Sequence, residues 1–252
     1  MPKSKIGHTA LSALGLVVFF AFWEGAARSG LVSPMLAPPP SRIPATLISE
    51  IKAGFWFQMI GDSLGHYLIG LFVGSAVGIG LGVATAMSPT LDALLAWVIR
   101  MLRPIPSIAW VPFAIIWFGL SETAASFLIS VTVFWLNFFA TVTAVRSIDK
   151  DLIEMAKSFG HTSVTALVVK VILPAASPGI FGGLRAGLGQ GWMTVVAAEL
   201  FGISGIGLRM MEASGLLATH VVVLYMVTMA GLYGITDFLF MRVQQRVLAW
   251  QR

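Results

Sequence analysis

Four charged side chains interrupt long apolar runs in this 252-residue chain: Glu24, Arg185, Glu199 and Asp237. An ionisable group in apolar surroundings marks a substrate or ion route, a proton relay, or a partner that neutralises it. Arg185, Gly189, Trp192, Val196 and Glu199 fall on one helical face, and Ser126, Ser130, Asn137 and Thr141 on another. Arg185 and Glu199 stand fourteen residues apart, about 21 Å along a helix axis. They cannot pair within one helix, so each needs another partner, head groups or water. Arg185 either attracts an anion weakly or snorkels to the head groups.

Covalent and metal chemistry find no support. There are no cysteines, and His8, His66, His161 and His220 have no ligand-like spacing. No Ser-His-Asp, zinc-type or paired-carboxylate arrangement occurs. The GxxxxGK[ST] phosphate loop is also missing, so the chain is not read as an ATPase or any other enzyme, and no cofactor of its own is expected. Gly78-x-Gly80-x-Gly82 lacks the preceding strand and following helix start that a phosphate loop needs. With Gly70 and Gly74 it reads as close helix packing.

The elements that position these residues follow from composition. The chain is 57% hydrophobic and 11% charged, with a mean hydropathy of +0.88. Soluble domains carry about 25% charged residues, so the bilayer is the expected solvent and the fold class is an all-α integral membrane protein. The net charge of +5 reads as positive charge on one membrane side rather than as a nucleic-acid surface. About six spans, of about 20 residues each, are expected at 10–27, 63–87, 94–118, 122–145, 178–200 and 217–241. Lys3 and Lys5 precede the first, which reads as an uncleaved span rather than a signal peptide. Pro34, Pro38–Pro40 and Pro44 follow, and 41–58 reads as an amphipathic helix on the outer face or an ordinary loop helix.

In the third span Pro104, Pro106 and Pro112 remove backbone donors. Broken backbone at membrane depth is tolerated only inside protein or along a cavity. Trp110, Ala114 and Trp117 line up beside this break, as a path wall or as core packing. With the first terminus inside, the inner segments hold Lys3, Lys5, Arg100, Arg103, Arg146, Lys150, Lys157, Lys170, Arg242, Arg246 and Arg252. The outer segments hold Arg28, Arg42, Lys52 and Arg209. Both termini are therefore expected in the cytoplasm.

The polar stretch 147–177 then lies on the cytoplasmic side. It is far longer than the usual connection of about 2–8 residues. Asp149 or Asp151 suits a helix start, and Glu154, Met155, Ala156 and Phe159 follow on that helix. Gly160 permits a sharp bend. Ser163 caps a second short helix, Val164 to Val171, carrying Leu167, and Leu173-Pro174 ends it and redirects the chain into span five. A compact, partly apolar helix pair below the membrane is a docking knob. Acids at mid-span, which a proton- or sodium-coupled carrier needs, are lacking, so energy is expected from a partner.

Glu154-Met155-Ala156, Gly160 and Leu173-Pro174 resemble the EAA loop of ABC-importer permeases. PPPSRI (Pro38–Ile43), RPIPSIAWVPFAIIWFG (Arg103–Gly119), ILPAASPGIFGGLRAGLGQGW (Ile172–Trp192) and AAEL (Ala197–Leu200) are similar to the nitrate/sulfonate/taurine group of those permeases. Met155 replaces the usual Ala, and the interval from Gly160 to Leu173-Pro174 is one residue longer than usual in the family. One residue turns a helix by about 100°.

The resemblance implies the type I importer fold in a bacterial inner membrane. It implies a second copy of the chain, two ATPase subunits that bind ATP and Mg, and an external binding protein, with lipid around and no nucleic acid. The coupling residues would be Glu154, Met155, Ala156, Phe159, Gly160, Val164, Leu167, Leu173 and Pro174. The expected path wall, from periodicity, is Pro106, Trp110, Trp117, Ser130, Asn137, Arg185, Trp192 and Glu199. The substrate implied is a small organic or inorganic anion such as a sulfonate, taurine or nitrate, or else a neutral heterocyclic vitamin precursor. A membrane scaffold and a secondary carrier are the rival classes.

Overall fold

Glycines decide the centre of the fold. The computed structural model describes residues 5–30, 33, 35–160 and 163–251; Lys3, Pro34, His161 and Arg252, singled out above, lie outside them. Helix α3 (Phe55–Met87) runs against α6 (Glu122–Arg146) along Gly70, Gly74, Gly78 and Gly82. A Cβ at Gly74 would stand 2.5 Å from the Ser130 carbonyl oxygen, and one at Gly78 2.7 Å from that of Phe134. The two backbones touch, which is how helices associate when lipid offers no hydrophobic drive. Gly80 faces away and meets nothing within 4 Å. On the other side of α6, α9 (Leu173–Glu199) repeats the device, with Gly183 against Ala140 and Gly179 against Ala144.

Around this three-helix centre lie α1 (Lys5–Arg28), α2 (Ile43–Lys52), α10 (Ile206–Gly215) and α11 (Thr219–Val247). Among the described residues four helical segments are long and apolar enough to cross a membrane: Phe55–Met87, Glu122–Arg146, Val164–Glu199 and Thr219–Val247. The first predicted span, 10–27, falls within α1, whose Glu24 carboxylate accepts hydrogen bonds from the Ser41 backbone N–H at 3.0 Å and its hydroxyl at 2.8 Å.

The third apolar segment is a broken one. Helix α4 (Pro89–Leu102) meets the short-helical stretch Ser107–Phe118, which includes α5 (Val111–Phe118), at 91°. Pro104 and Pro106 sit at the break and have no N–H to give. Asp92 pairs with Arg146 at 2.8 Å, holding the start of α4 at the far end of α6. The Arg103 guanidinium then lies 4.5 Å over the Phe139 ring, higher on α6. Beyond the bend, Val111 and Ala114 of α5 pack against Ala124, Ala125 and Leu128 at the start of α6.

The polar stretch forms α7 (Lys150–Ser158), capped by Asp149, whose carboxylate accepts from the Asp151 N–H at 3.0 Å. Gly160 takes φ +90°, a region that side chains resist. Ser163 caps α8 (Val164–Leu167), accepting from the Ala166 N–H at 3.2 Å.

Here the sequence expectation is corrected. The second short helix does not end at Pro174. It passes through a π-helical turn, Val168–Ile172, directly into α9. Pro174, the second residue of α9, follows the π turn directly and has no N–H to give back to it. Pro178 withholds the donor that the Pro174 carbonyl expects four residues back, and the Ser177 hydroxyl supplies one at 2.8 Å. The result is a single helical segment of 36 residues, Val164–Glu199.

Candidate functional site

The expected coupling residues gather at one end of the bundle, where α7 and α8 meet the start of α9. Helix α7 is polar on one face and apolar on the other. Its apolar side chains Leu152, Met155 and Phe159 are exposed, Phe159 by 79%. Glu154 and Gly160 are exposed too, whereas Ala156 is half-buried. Met155, Ala156 and Phe159 line a cavity of about 440 Å³ with Lys170, Pro174 and Trp250. Trp250 belongs to the C-terminal short helix, a neighbour the sequence did not suggest. Leu167 and Leu173 turn inward onto Val145, Ile172 and Ala176, while Val164 stays exposed.

The orientation of the second helix is therefore decided by the π turn. A π turn accommodates one residue more than an α turn. With Val168–Ile172 wound in this way, Leu167 faces the bundle.

The predicted path residues are not one surface within this subunit. Pro106 is exposed, Trp110 half-buried and Trp117 56% exposed. Ser130 donates to the Phe127 carbonyl of its own helix at 2.8 Å. Asn137 is fully buried, its Nδ2 donating to Ser75 Oγ at 3.2 Å and to the Val133 carbonyl at 3.0 Å. Trp192 is buried and stacks on Tyr67, with ring centroids 4.3 Å apart, and its indole N–H donates to Thr236 Oγ1 at 3.2 Å.

Arg185 and Glu199 both find partners across helices. Arg185 makes a fork on Asp237 of α11, Nε to Oδ1 at 2.8 Å and Nη2 to Oδ2 at 3.0 Å. Glu199 is fully buried. Its carboxylate accepts from Ser63 Oγ at 2.9 Å and from the Gly207 N–H at 2.8 Å, and lies 3.1 Å from His66 Nδ1. Ser63 Oγ in turn accepts from the Ile206 N–H at 2.8 Å. Glu199 and Ser63 thus satisfy the first amides of α10, a helix start that otherwise has none of its own side chains for the task. Sequence spacing missed Ser63 and His66, although they lie three apart on one face of α3.

A second polar cluster joins α2, α10 and α11 at this same end. Glu50 holds Arg209 through two contacts of 2.8 and 3.0 Å and accepts from the Tyr225 hydroxyl at 3.0 Å. Arg209 also lies 4.3 Å over the Phe55 ring and bonds Glu212 at 3.2 Å. Burial works against the Glu50 charge, but the hydrogen bonds from Arg209 and Tyr225 outweigh it and hold the carboxyl below its ordinary range. Glu50 raises the Arg209 pKa further in return. Among the described residues no group of three or more His, Cys, Asp or Glu side chains could hold a metal ion.

Comparison with known proteins adds four findings. Residues 74–249 match the model of the binding-protein-dependent transport system inner membrane component family. The chain is 34% identical over 250 residues to the taurine transport system permease protein of Escherichia coli (strain K12), covering 96% of this chain and 90% of that protein. It is 31% identical over 222 residues to the bicarbonate transport system permease protein of Synechococcus elongatus, covering 84% and 79%. In shape it is similar to a chain of the inward-facing MetNI methionine ABC transporter, with a TM-score of 0.68 at 20% identity, over 79% of this chain and 98% of that one.

Proposed function

The chain belongs to the binding-protein-dependent transport inner membrane component family, and from that membership we propose that it is the permease subunit of an ATP-driven importer for a small anion. The anion is a sulfonate such as taurine, or a related organic or inorganic one. Two copies enclose the pathway in a bacterial inner membrane, with both termini in the cytoplasm. An external binding protein delivers the substrate, and two separate ATPase subunits bind ATP and Mg and hydrolyse the nucleotide.

The observation that carries this reading is the continuity of the knob with a spanning helix. The exposed apolar face of α7 and α8 is what a partner cleft would grip. From Val164 the helix runs without interruption to Glu199, about 54 Å for its 36 residues. Glu199 then holds the start of α10. A push on the knob is thereby delivered as a rigid displacement to the opposite end of the bundle, where substrate enters. The half-exposed Arg185–Asp237 pair supplies polarity to a surface that lipid would reject.

The test is reconstitution. Membranes co-expressing the chain with its ATPase and binding protein should yield a co-purifying complex and vesicles that take up a sulfonate only with ATP inside. Isolation of the chain without an ATPase, together with uptake that ignores ATP, would overturn the proposal.

A further inference from the structure

The Arg185–Asp237 pair sits at an unusual place. Arg185 is fourteen residues, about 21 Å, from the end of α9 and lies within the segment Val164–Glu199, which is long and apolar enough to cross a membrane. Its side chain is 47% exposed in the single subunit, against 18% for Asp237. A charge pair between two membrane-spanning segments is costly against lipid, so this side of α9 and α11 faces water or the second copy. Asp237 engages Nε and Nη2 of the guanidinium. Among the described residues Nη1 has no hydrogen-bond partner, which leaves one donor edge open.

One helical turn further along both helices, the surface changes character. Gly189 follows Arg185 by four residues and Tyr233 precedes Asp237 by four, so both lie above the pair on the same faces. Gly189, Trp192, Met193, Met229, Ala230 and Tyr233 line an apolar cleft of about 310 Å³. Gly189 keeps it open: a Cβ there would reach within 3.5 Å of the Tyr233 ring. A guanidinium edge beside an aromatic and thioether cleft matches a molecule with an oxyanion head and a short carbon body.

We propose that this junction is a transient subsite for the transported organic anion, its head on the free edge of Arg185 and its carbon body in the cleft. The proposal rests on the permease reading above. Asp237 has two roles in it. It fixes the plane of the guanidinium, and it cancels most of the positive charge, so the anion binds weakly enough to leave. A pathway needs sites that are entered and also vacated.

The probe is butanesulfonate, followed by saturation-transfer NMR on the permease–ATPase complex in neutral-lipid nanodiscs without binding protein. Arg185→Gln should weaken the response about tenfold, and Asp237→Asn should strengthen it about tenfold, as for one charge-assisted hydrogen bond lost or relieved of competition. The double variant Arg185→Gln with Asp237→Asn leaves no unpaired charge, and its assembly checks folding. It should bind butanesulfonate no better than butanesulfonamide. Gly189→Ala, which fits sterically, should penalise hexanesulfonate more than methanesulfonate, whereas a purely structural effect would lower both alike. No binding to the wild type, responses indifferent to all four variants, or a response abolished only by anionic lipid in the nanodisc would overturn the subsite. ATP-dependent uptake by the wild type is scored separately. Uptake with an indifferent NMR response sinks the subsite alone, and absent uptake sinks the permease reading.

Discussion

The carboxylate of Glu199, at the end of α9, accepts a hydrogen bond of 2.8 Å from the backbone N–H of Gly207 in the first turn of α10. One helix thereby caps the next across a glycine turn. Gly205 is held so tightly against the carboxylate that a Cβ there would collide with it, and its φ of +149° disfavours side chains in any case. The same carboxylate is anchored to α3 through Ser63 and His66. The turn is therefore fixed to two of the three central helices.

Removing this acceptor should loosen α10 before it loosens the bundle. Glu199→Leu strands the Gly207 amide, the Ser63 hydroxyl and His66, at about 1–3 kcal/mol for each buried group left unsatisfied. Hydrogen exchange at Ile206 and Gly207 should accelerate markedly, with Glu199→Gln intermediate and Gly205→Ala resembling Glu199→Leu. Unchanged exchange at those two amides in Glu199→Leu would refute the cap.

The glycines of α3 should differ sharply by face. Gly74→Ala drives a methyl into the Ser130 carbonyl, and overpacking of this kind costs about 1–3 kcal/mol. Gly80→Ala meets open space and should be neutral or slightly stabilising, since Ala is the better helix former. Thermal melting of the two purified variants makes the comparison, and equal melting points would contradict the α3–α6 contact.

The Glu50–Arg209 clamp should show acid sensitivity of defined sign. The folded-state pKa of Glu50 lies below its ordinary value of 4.5. Its contribution is present above that value and is lost as pH falls through the lower, folded-state one. Glu50→Gln should cost about 2 kcal/mol at neutral pH. The melting points of wild type and variant should converge once the pH drops well below 4.5. A gap that stays constant across that range would argue against an ionised Glu50 at the clamp.

The π turn offers a test of the knob. Deleting Val169 converts the turn to ordinary helix and rotates α8 by about 100° relative to α9. Leu167 is then turned off the bundle and Val164 to a different side. Uptake in reconstituted vesicles should fall about tenfold or more, in keeping with a lost docking contact of about 1.4 kcal/mol or above, while the amount of membrane-inserted chain holds. Gly160→Ala, strained by about 1–2 kcal/mol at φ +90°, should act in the same direction. Full coupling in the deletion variant would show that the orientation of α8 is immaterial.

Sequence alone determined much of this. Hydropathy fixed the membrane class because no chain so apolar can cover itself with polar surface. Four-residue glycine steps announced the face of α3 that meets another helix, since spacing along a helix translates directly into a stripe. Asp149, Gly160 and Ser163 announced the breaks of the knob, because capping and positive φ are local requirements written in single residues. What the sequence did not contain was which stripe meets which. Arg185 and Glu199 share a helical face, yet one ends in a half-exposed fork on Asp237 and the other in a closed network with Ser63 and His66. Those partners lie 52 and more than 130 residues away, and no local rule couples such distances. The passage of the helix through Pro174 and Pro178 was likewise invisible. It depends on a π turn and on the Ser177 hydroxyl donating to the Pro174 carbonyl in place of a missing amide, and neither is written in the spacing of the prolines.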